Sequence, residues 1–206
     1  MDTLPLLIDH LKQMGVLKTH AIIEAFKDID RKNFVPLKLF DSAYDDEPLP
    51  IGKGQTISQP YTIAFMLELL LPQQGDRVLD VGTGSGYTTA LLAELVGTKG
   101  KVTGVEIIPE LVAFGKENLA KYNFPNARIY QAERGQLGRQ EDAPYNKILV
   151  SASSHGLKDI LIDQLQCGGR MVASVEDAIW KIDKLTDGSL GIEKYEGFRF
   201  VPLIEN

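Results

Sequence analysis

Two acids bracket a run of glycines in a way that could hold a nucleoside. Asp80 stands inside the apolar stretch Val78-Leu79-Asp80-Val81, and Gly82-Thr83-Gly84-Ser85-Gly86-Tyr87 follows before a helical apolar pattern begins at Thr89. Glu106 ends a second apolar stretch, about 20 residues beyond the glycines, where a carboxylate can accept both hydroxyls of a ribose. Glycines here tolerate positive φ and let a ligand lie against bare backbone, and the helix start that follows offers unpaired N–H groups. Tyr87 occupies the place of the third glycine of a dinucleotide fingerprint, and Asp80 would repel a pyrophosphate while accepting hydrogen bonds from an ammonium. S-adenosylmethionine, with an amino-acid end and no phosphate, meets those demands. A βα turn whose glycines serve geometry alone is the plainer alternative.

A second set of candidate groups lies upstream. From Asp41 to Pro60 the composition shifts to Asp, Pro and Gly, and Gln55, Thr56 and Ser58 present an amide and two hydroxyls suited to a small anionic group. Tyr44, Ile51, Ile57 and Tyr61 would anchor such a loop. A crossover strand, with Ser58 capping a helix over 62–71, is the alternative reading of the same stretch.

These groups need a frame, and the chain supplies one. Its 206 residues suffice for one α/β core, read here as a single domain over 1–206, with N-terminal helices and a lid over 1–61 and a Rossmann-like core over 62–206. Leu4, Leu7, Ile8 and Leu11 predict one amphipathic helix, and Thr19 predicts the cap of a second through Ile22, Ile23 and Phe26. Strands are expected over 101–106, 127–131, 146–150 and 170–174, with helices from Pro109 to Leu119 and over 157–165 between them. Asp187-Gly188 predicts the turn of a closing antiparallel hairpin, with strands over 178–185 and 193–203.

Composition narrows the partners. A net charge of −6 disfavours nucleic acid, whose binding depends on Lys and Arg neutralising phosphates. Cys167 is the only cysteine, so no disulfide forms within the chain, and His10, His20 and His155 lack metal-ligand spacing. No apolar run approaches the ~20 residues of a membrane span, and Asp2 replaces the basic start of a secretory signal. A cytoplasmic monomer is expected.

With those residues in view, the chain resembles the protein-L-isoaspartate (D-aspartate) O-methyltransferases, a family of class I S-adenosylmethionine-dependent enzymes. The likeness runs from Arg31-x-x-Phe34-Val35-Pro36 to Phe200-Val201-Pro202-Leu203. Its most specific part is Ala43-Tyr44-x-Asp46 with Leu49-Pro50-Ile51-Gly52-x-Gly54-Gln55-Thr56-Ile57-Ser58-Gln59-Pro60. The resemblance implies a mostly parallel seven-stranded sheet and methyl transfer to the α-carboxyl of L-isoaspartyl residues in damaged proteins or peptides. It also implies that Thr56 and Ser58 hold that carboxylate beside the methyl group, with Asp46 and Gln55 shaping the lid. The cofactor would be held by Asp80, Gly82, Thr83, Gly84, Ser85, Gly86, Tyr87, Glu106, Ile107, Glu133, Arg134 and Gly135, with no metal.

One departure falls at the adenine end. Where the family has an acid that reads the adenine amino group, this chain has Arg134, which carries donors and no acceptor. Glu133 or a backbone carbonyl could take over that contact. The same departure leaves open a homologue that binds the cofactor or peptide carboxylates without turnover, or a methyltransferase with another acceptor. Ser151-Ala152-Ser153-Ser154-His155-Gly156 likewise replaces an Ala- and Pro-rich loop.

Overall fold

The structure, a computed structural model, describes residues 3–133 and 135–204. Helix α1 (Leu4–Gln13) starts where the Thr3 hydroxyl accepts the Leu6 N–H, and it buries Leu7, Ile8 and Leu11. Helix α2 (His20–Asp28) buries Ile22, Ala25 and Phe26. Two 3₁₀ turns, Arg31–Phe34 and Leu37–Ser42, lead to a hairpin of β1 (Leu49–Gly52) and β2 (Gln55–Ile57), then to helix α3 (Pro60–Leu70). Thr19 makes no cap of its own at α2. Its hydroxyl donates at 2.7 Å to Glu68 of α3, whose other oxygen accepts the Lys18 and Thr19 N–H groups, each at 2.7 Å. A carboxylate from another element thus supplies the negative charge that a helix start favours.

The core alternates strand and helix: β3 (Arg77–Val81), α4 (Tyr87–Val96), β4 (Lys101–Glu106), α5 (Pro109–Leu119), β5 (Ala127–Gln131) and β6 (Tyr145–Ser154). Helix α6 (Asp159–Gln164) and strands β7 (Leu165–Val175), β8 (Ala178–Lys184) and β9 (Leu190–Glu196) complete it. The sheet order is β5-β4-β3-β6-β7-β8-β9, parallel from β5 to β7 and antiparallel from β7 to β9. Val78 faces one apolar cluster, which includes α1 to α5, while Leu79 and Val81 face a second one beneath α6. Burial on both faces is what a parallel sheet requires, and it explains the apolar runs of the central strands. Chain order reverses between β3 and β6, so their carboxyl ends open a crevice of the kind that holds ligands in such sheets.

Several boundaries differ from expectation. Helix α3 starts two residues before the expected 62, because Pro60 fits a first helical turn. The stretch Ser151–Ser154, read as loop, extends β6. Its Ser153 N–H donates to Val201 at 2.8 Å and its carbonyl accepts the Leu203 N–H at 2.7 Å, so a distant segment supplies the pairing. Helix α6 is shorter than the expected 157–165 and β7 correspondingly longer, while β9 spans Leu190–Glu196 rather than 193–203.

Candidate active site

The loop between β3 and α4 folds back on β4. The N–H groups of Gly82 and Thr83 donate to the Val105 carbonyl at 2.9 and 3.2 Å, and Gly86 donates to Thr83 at 2.8 Å. At Gly86, with φ +85°, a Cβ would stand 3.0 Å from the Gly115 carbonyl of α5, so this glycine admits the neighbouring helix. At Gly84, with φ +50°, the close neighbour is Ile51 of β1, whose Cδ1 would stand 3.0 Å away. The lid hairpin therefore rests on the glycine loop itself.

Glu106 ties the loop to β4. Its Oε2 accepts the Gly84 N–H and its Oε1 the Ile108 N–H, both at 2.9 Å, and the side chain is buried. A carboxylate has about four acceptor sites, so each oxygen keeps capacity for a ligand hydroxyl. Asp80 is placed otherwise. It is fully buried behind the loop, where Oδ2 accepts the hydroxyls of Thr88 and Thr89 at 2.8 and 2.6 Å, and it does not line the cavity. Alternation along β3 turns this side chain under the first turn of α4 rather than toward a ligand. Burial, partly offset by the two hydroxyls, raises its pKa from 3.8 to about 6.

The cavity over these residues measures about 310 Å³. Gln55, Thr56 and Ser58 of the lid line it, as do Gly82, Thr83, Gly84, Ser85, Tyr87, Glu106, Ile107, Glu133 and Gly135. Asp80, Gly86 and Asp46 do not. Asp46 instead accepts the Tyr61 N–H at 2.8 Å and so caps α3, the task that one reading gave to Ser58. Arg134 lies outside the described residues. Thr83 and Ser151 are lining residues whose buried hydroxyl oxygens have no hydrogen-bond partner among the described residues, whereas the Tyr87 ring packs between Phe26 and Phe34.

Among the lining or supporting residues that escape the sequence reading, two groups stand out. Val201, Pro202, Leu203 and Ile204 form one wall. Arg31 is fully buried behind the lid and donates to three backbone carbonyls: Nε to Ala43 at 2.9 Å, Nη1 to Ser58 at 2.7 Å and Nη2 to Glu47 at 3.1 Å. Its guanidinium also lies 5.9 Å from the centre of the Tyr87 ring, which packs on Phe34 at 5.2 Å. A buried charge among apolar residues is a signal in hindsight, yet its partners are distant in sequence. The cavity as a whole combines a nucleoside-sized space, an acid at the end of β4 and hydroxyls on a lid, an arrangement that can hold a small cofactor against an anionic acceptor.

Comparison with known proteins agrees with this arrangement. The model of the family "Protein-L-isoaspartate(D-aspartate) O-methyltransferase (PCMT)" matches residues 4–206. A protein-L-isoaspartate O-methyltransferase of Methanopyrus kandleri is 43% identical over 202 residues, covering 96% of this chain and 89% of its own. One from Ignicoccus hospitalis is 42% identical over 204 residues, covering 97% and 96%. Among solved structures, a protein-L-isoaspartate O-methyltransferase of Plasmodium falciparum in complex with S-adenosyl-L-homocysteine superposes with a TM-score of 0.89 at 25% identity, both chains being covered in full.

Proposed function

The chain belongs to the protein-L-isoaspartate(D-aspartate) O-methyltransferase family, and from that premise we propose that its cavity transfers a methyl group from S-adenosylmethionine to the α-carboxyl of L-isoaspartyl residues in damaged proteins and peptides. The observation that carries this reading is the meeting of Gln55, Thr56 and Ser58 with the glycine loop and Glu106 around one cavity. The unpartnered Thr83 and Ser151 hydroxyls and the spare acceptor capacity of Glu106 suit a ligand with an amino-acid end and ribose hydroxyls.

When bound, S-adenosylmethionine supplies an electrophilic methyl group on a sulfonium, which a carboxylate oxygen takes as the carbon–sulfur bond breaks and its electron pair stays on sulfur. Glu106 holds the ribose, while Gly82, Thr83, Gly84, Ser85 and Tyr87 form the amino-acid end of the site. Ile107, Glu133 and Gly135 border the adenine end. Asp80 and Gly86 act from behind that wall, the first by fixing the start of α4 and the second by admitting α5. On the acceptor side Ser58 and Thr56 donate to the carboxylate, Gln55 closes the lid over it, and Asp46 fixes the helix that follows the lid.

No side chain needs to remove a proton. A carboxylate with an ordinary pKa near ~4 is already ionised at neutral pH. Attack of an anion on a sulfonium cancels opposite charges, so the lid contributes by excluding water and aligning the partners. The chain works as one domain, residues 1–61 supplying helices and lid and residues 62–206 the cofactor-binding core. On this reading the protein is a monomer, since one chain can supply both the lid and the cofactor side of the cavity. A net charge of −6 argues against a nucleic-acid partner, and a single cysteine suits the reducing cytoplasm.

Labelled S-adenosylmethionine and an isoaspartyl peptide beside its aspartyl twin test this. Base-labile label on the isoaspartyl peptide alone is expected, and equal or absent labelling of the two would overturn the assignment.

A further inference from the structure

Among the described residues Arg31 is the one buried arginine, all three of its hydrogen bonds end on backbone of the segment from Ala43 to Ser58, and nothing in methyl transfer as described uses it. Its three carbonyl partners, Ala43, Glu47 and Ser58, bracket the whole lid, from its entry to the residue that faces the acceptor. Among the described residues no carboxylate stands within ion-pair distance of it, because Asp46, which acts on it from farther away, is committed to Tyr61 and Gln59. Backbone carbonyls take three of its five N–H groups but carry no formal charge to set against its own. Such a charge is costly to bury, and an anion arriving nearby gains from it.

We propose that Arg31 is a positioning residue that makes the acceptor pocket selective for anions: it fixes the backbone of Ser58 and sets an uncompensated positive charge one peptide group behind the acceptor's carboxylate. This rests on Ser58 facing the acceptor, as proposed above. The guanidinium touches no reacting atom and acts through Ser58 and the field in a dry pocket. Burial draws its pKa down only to about 10, so the charge persists at neutral pH.

The test uses the full chain with S-adenosylhomocysteine and two peptides that differ only in whether the isoaspartyl α-carboxyl is free or a carboxamide. Calorimetry gives the ratio of their affinities. Wild type should prefer the acid, and Arg31→Met should shrink that preference by about tenfold, the order expected for one charge acting across a poorly screened pocket. Arg31→Lys, which keeps the charge but cannot reach three carbonyls together, should retain most of the preference while kcat falls. Cofactor-product affinity should stay within about threefold in both variants, as it depends on other walls.

An unchanged preference in Arg31→Met, or equal loss in the Lys and Met variants, would reduce Arg31 to a structural staple. Should the Met variant fail to fold, wild type and Arg31→Lys still decide, since a wild type that holds the amide as well as the acid overturns the proposal. Carboxylate selectivity without methyl transfer would strike down the proposed reaction and leave the role of Arg31 supported.

Discussion

Asp80 should make the empty protein less stable as pH rises through the weakly acidic range. Its carboxyl is sealed from water, with two threonine hydroxyls on Oδ2 and no partner among the described residues on Oδ1. The folded pKa of about 6 lies above the ordinary 3.8, so the native state binds this proton more tightly than the unfolded chain does. The stabilising contribution is therefore complete below 3.8 and is lost as pH rises through about 6. The interval of about 2 pH units amounts to roughly 3 kcal/mol, of which roughly 2 kcal/mol falls between about pH 4.5 and about pH 7.5. Other carboxylates, such as Asp142 beside Lys101, are shifted downward and pull the opposite way, so the wild-type curve alone is ambiguous. Urea unfolding of wild type and Asp80→Asn across that range, extrapolated linearly to water, isolates the difference. Wild type should lose roughly 2 kcal/mol relative to the variant, and a flat difference would refute the buried, partly protonated state of Asp80.

Three substitutions probe the rest of the site. Ser58→Ala should lower kcat by about ten- to a hundredfold, from one lost hydrogen bond to a charged group, while the S-adenosylhomocysteine Kd moves by less than about twofold. Equal losses in both would remove Ser58 from the acceptor side. Glu106→Gln puts an amide donor against one of two N–H groups and should weaken S-adenosylhomocysteine by about ten- to a hundredfold in calorimetry, whereas unchanged affinity would exclude it from the ribose. Gly86→Ala must combine φ +85° with a Cβ 3.0 Å from the Gly115 carbonyl. A loss of roughly 3 kcal/mol in urea unfolding is expected, and a loss below about 1 kcal/mol would show that the loop yields.

What the sequence discloses here depends on how local its cause is. The glycine loop and Glu106 are legible because a strand, a tight loop and a helix change hydrophobic period within a few residues, and the register of β3 and β4 then brings the loop beside Glu106. Ser58 and Gln55 are legible as polar groups in an ordered loop. Asp80 is harder to place, since the same residue type at a strand tip can face a ligand or the next helix, and only the packing of Thr88 and Thr89 decides. Ser151–Ser154 has weak strand propensity and extends β6 through pairing with β7 and the segment around Pro202. Arg31 looks like one more surface charge until its three carbonyls, 12, 16 and 27 residues away, are assembled around it.

The cavity walls come from Gln55 to Ile204, and the lid behind them is pinned from Arg31. Pocket formation therefore draws on segments from both ends of the chain, and opening either one removes part of the binding surface. A ligand that fills the pocket then acts on the entire molecule, raising its unfolding free energy by RT ln(1 + [L]/Kd). Amide hydrogen exchange should slow not only at the glycine loop and the wall around Pro202 but also in α2, none of whose residues lines the cavity.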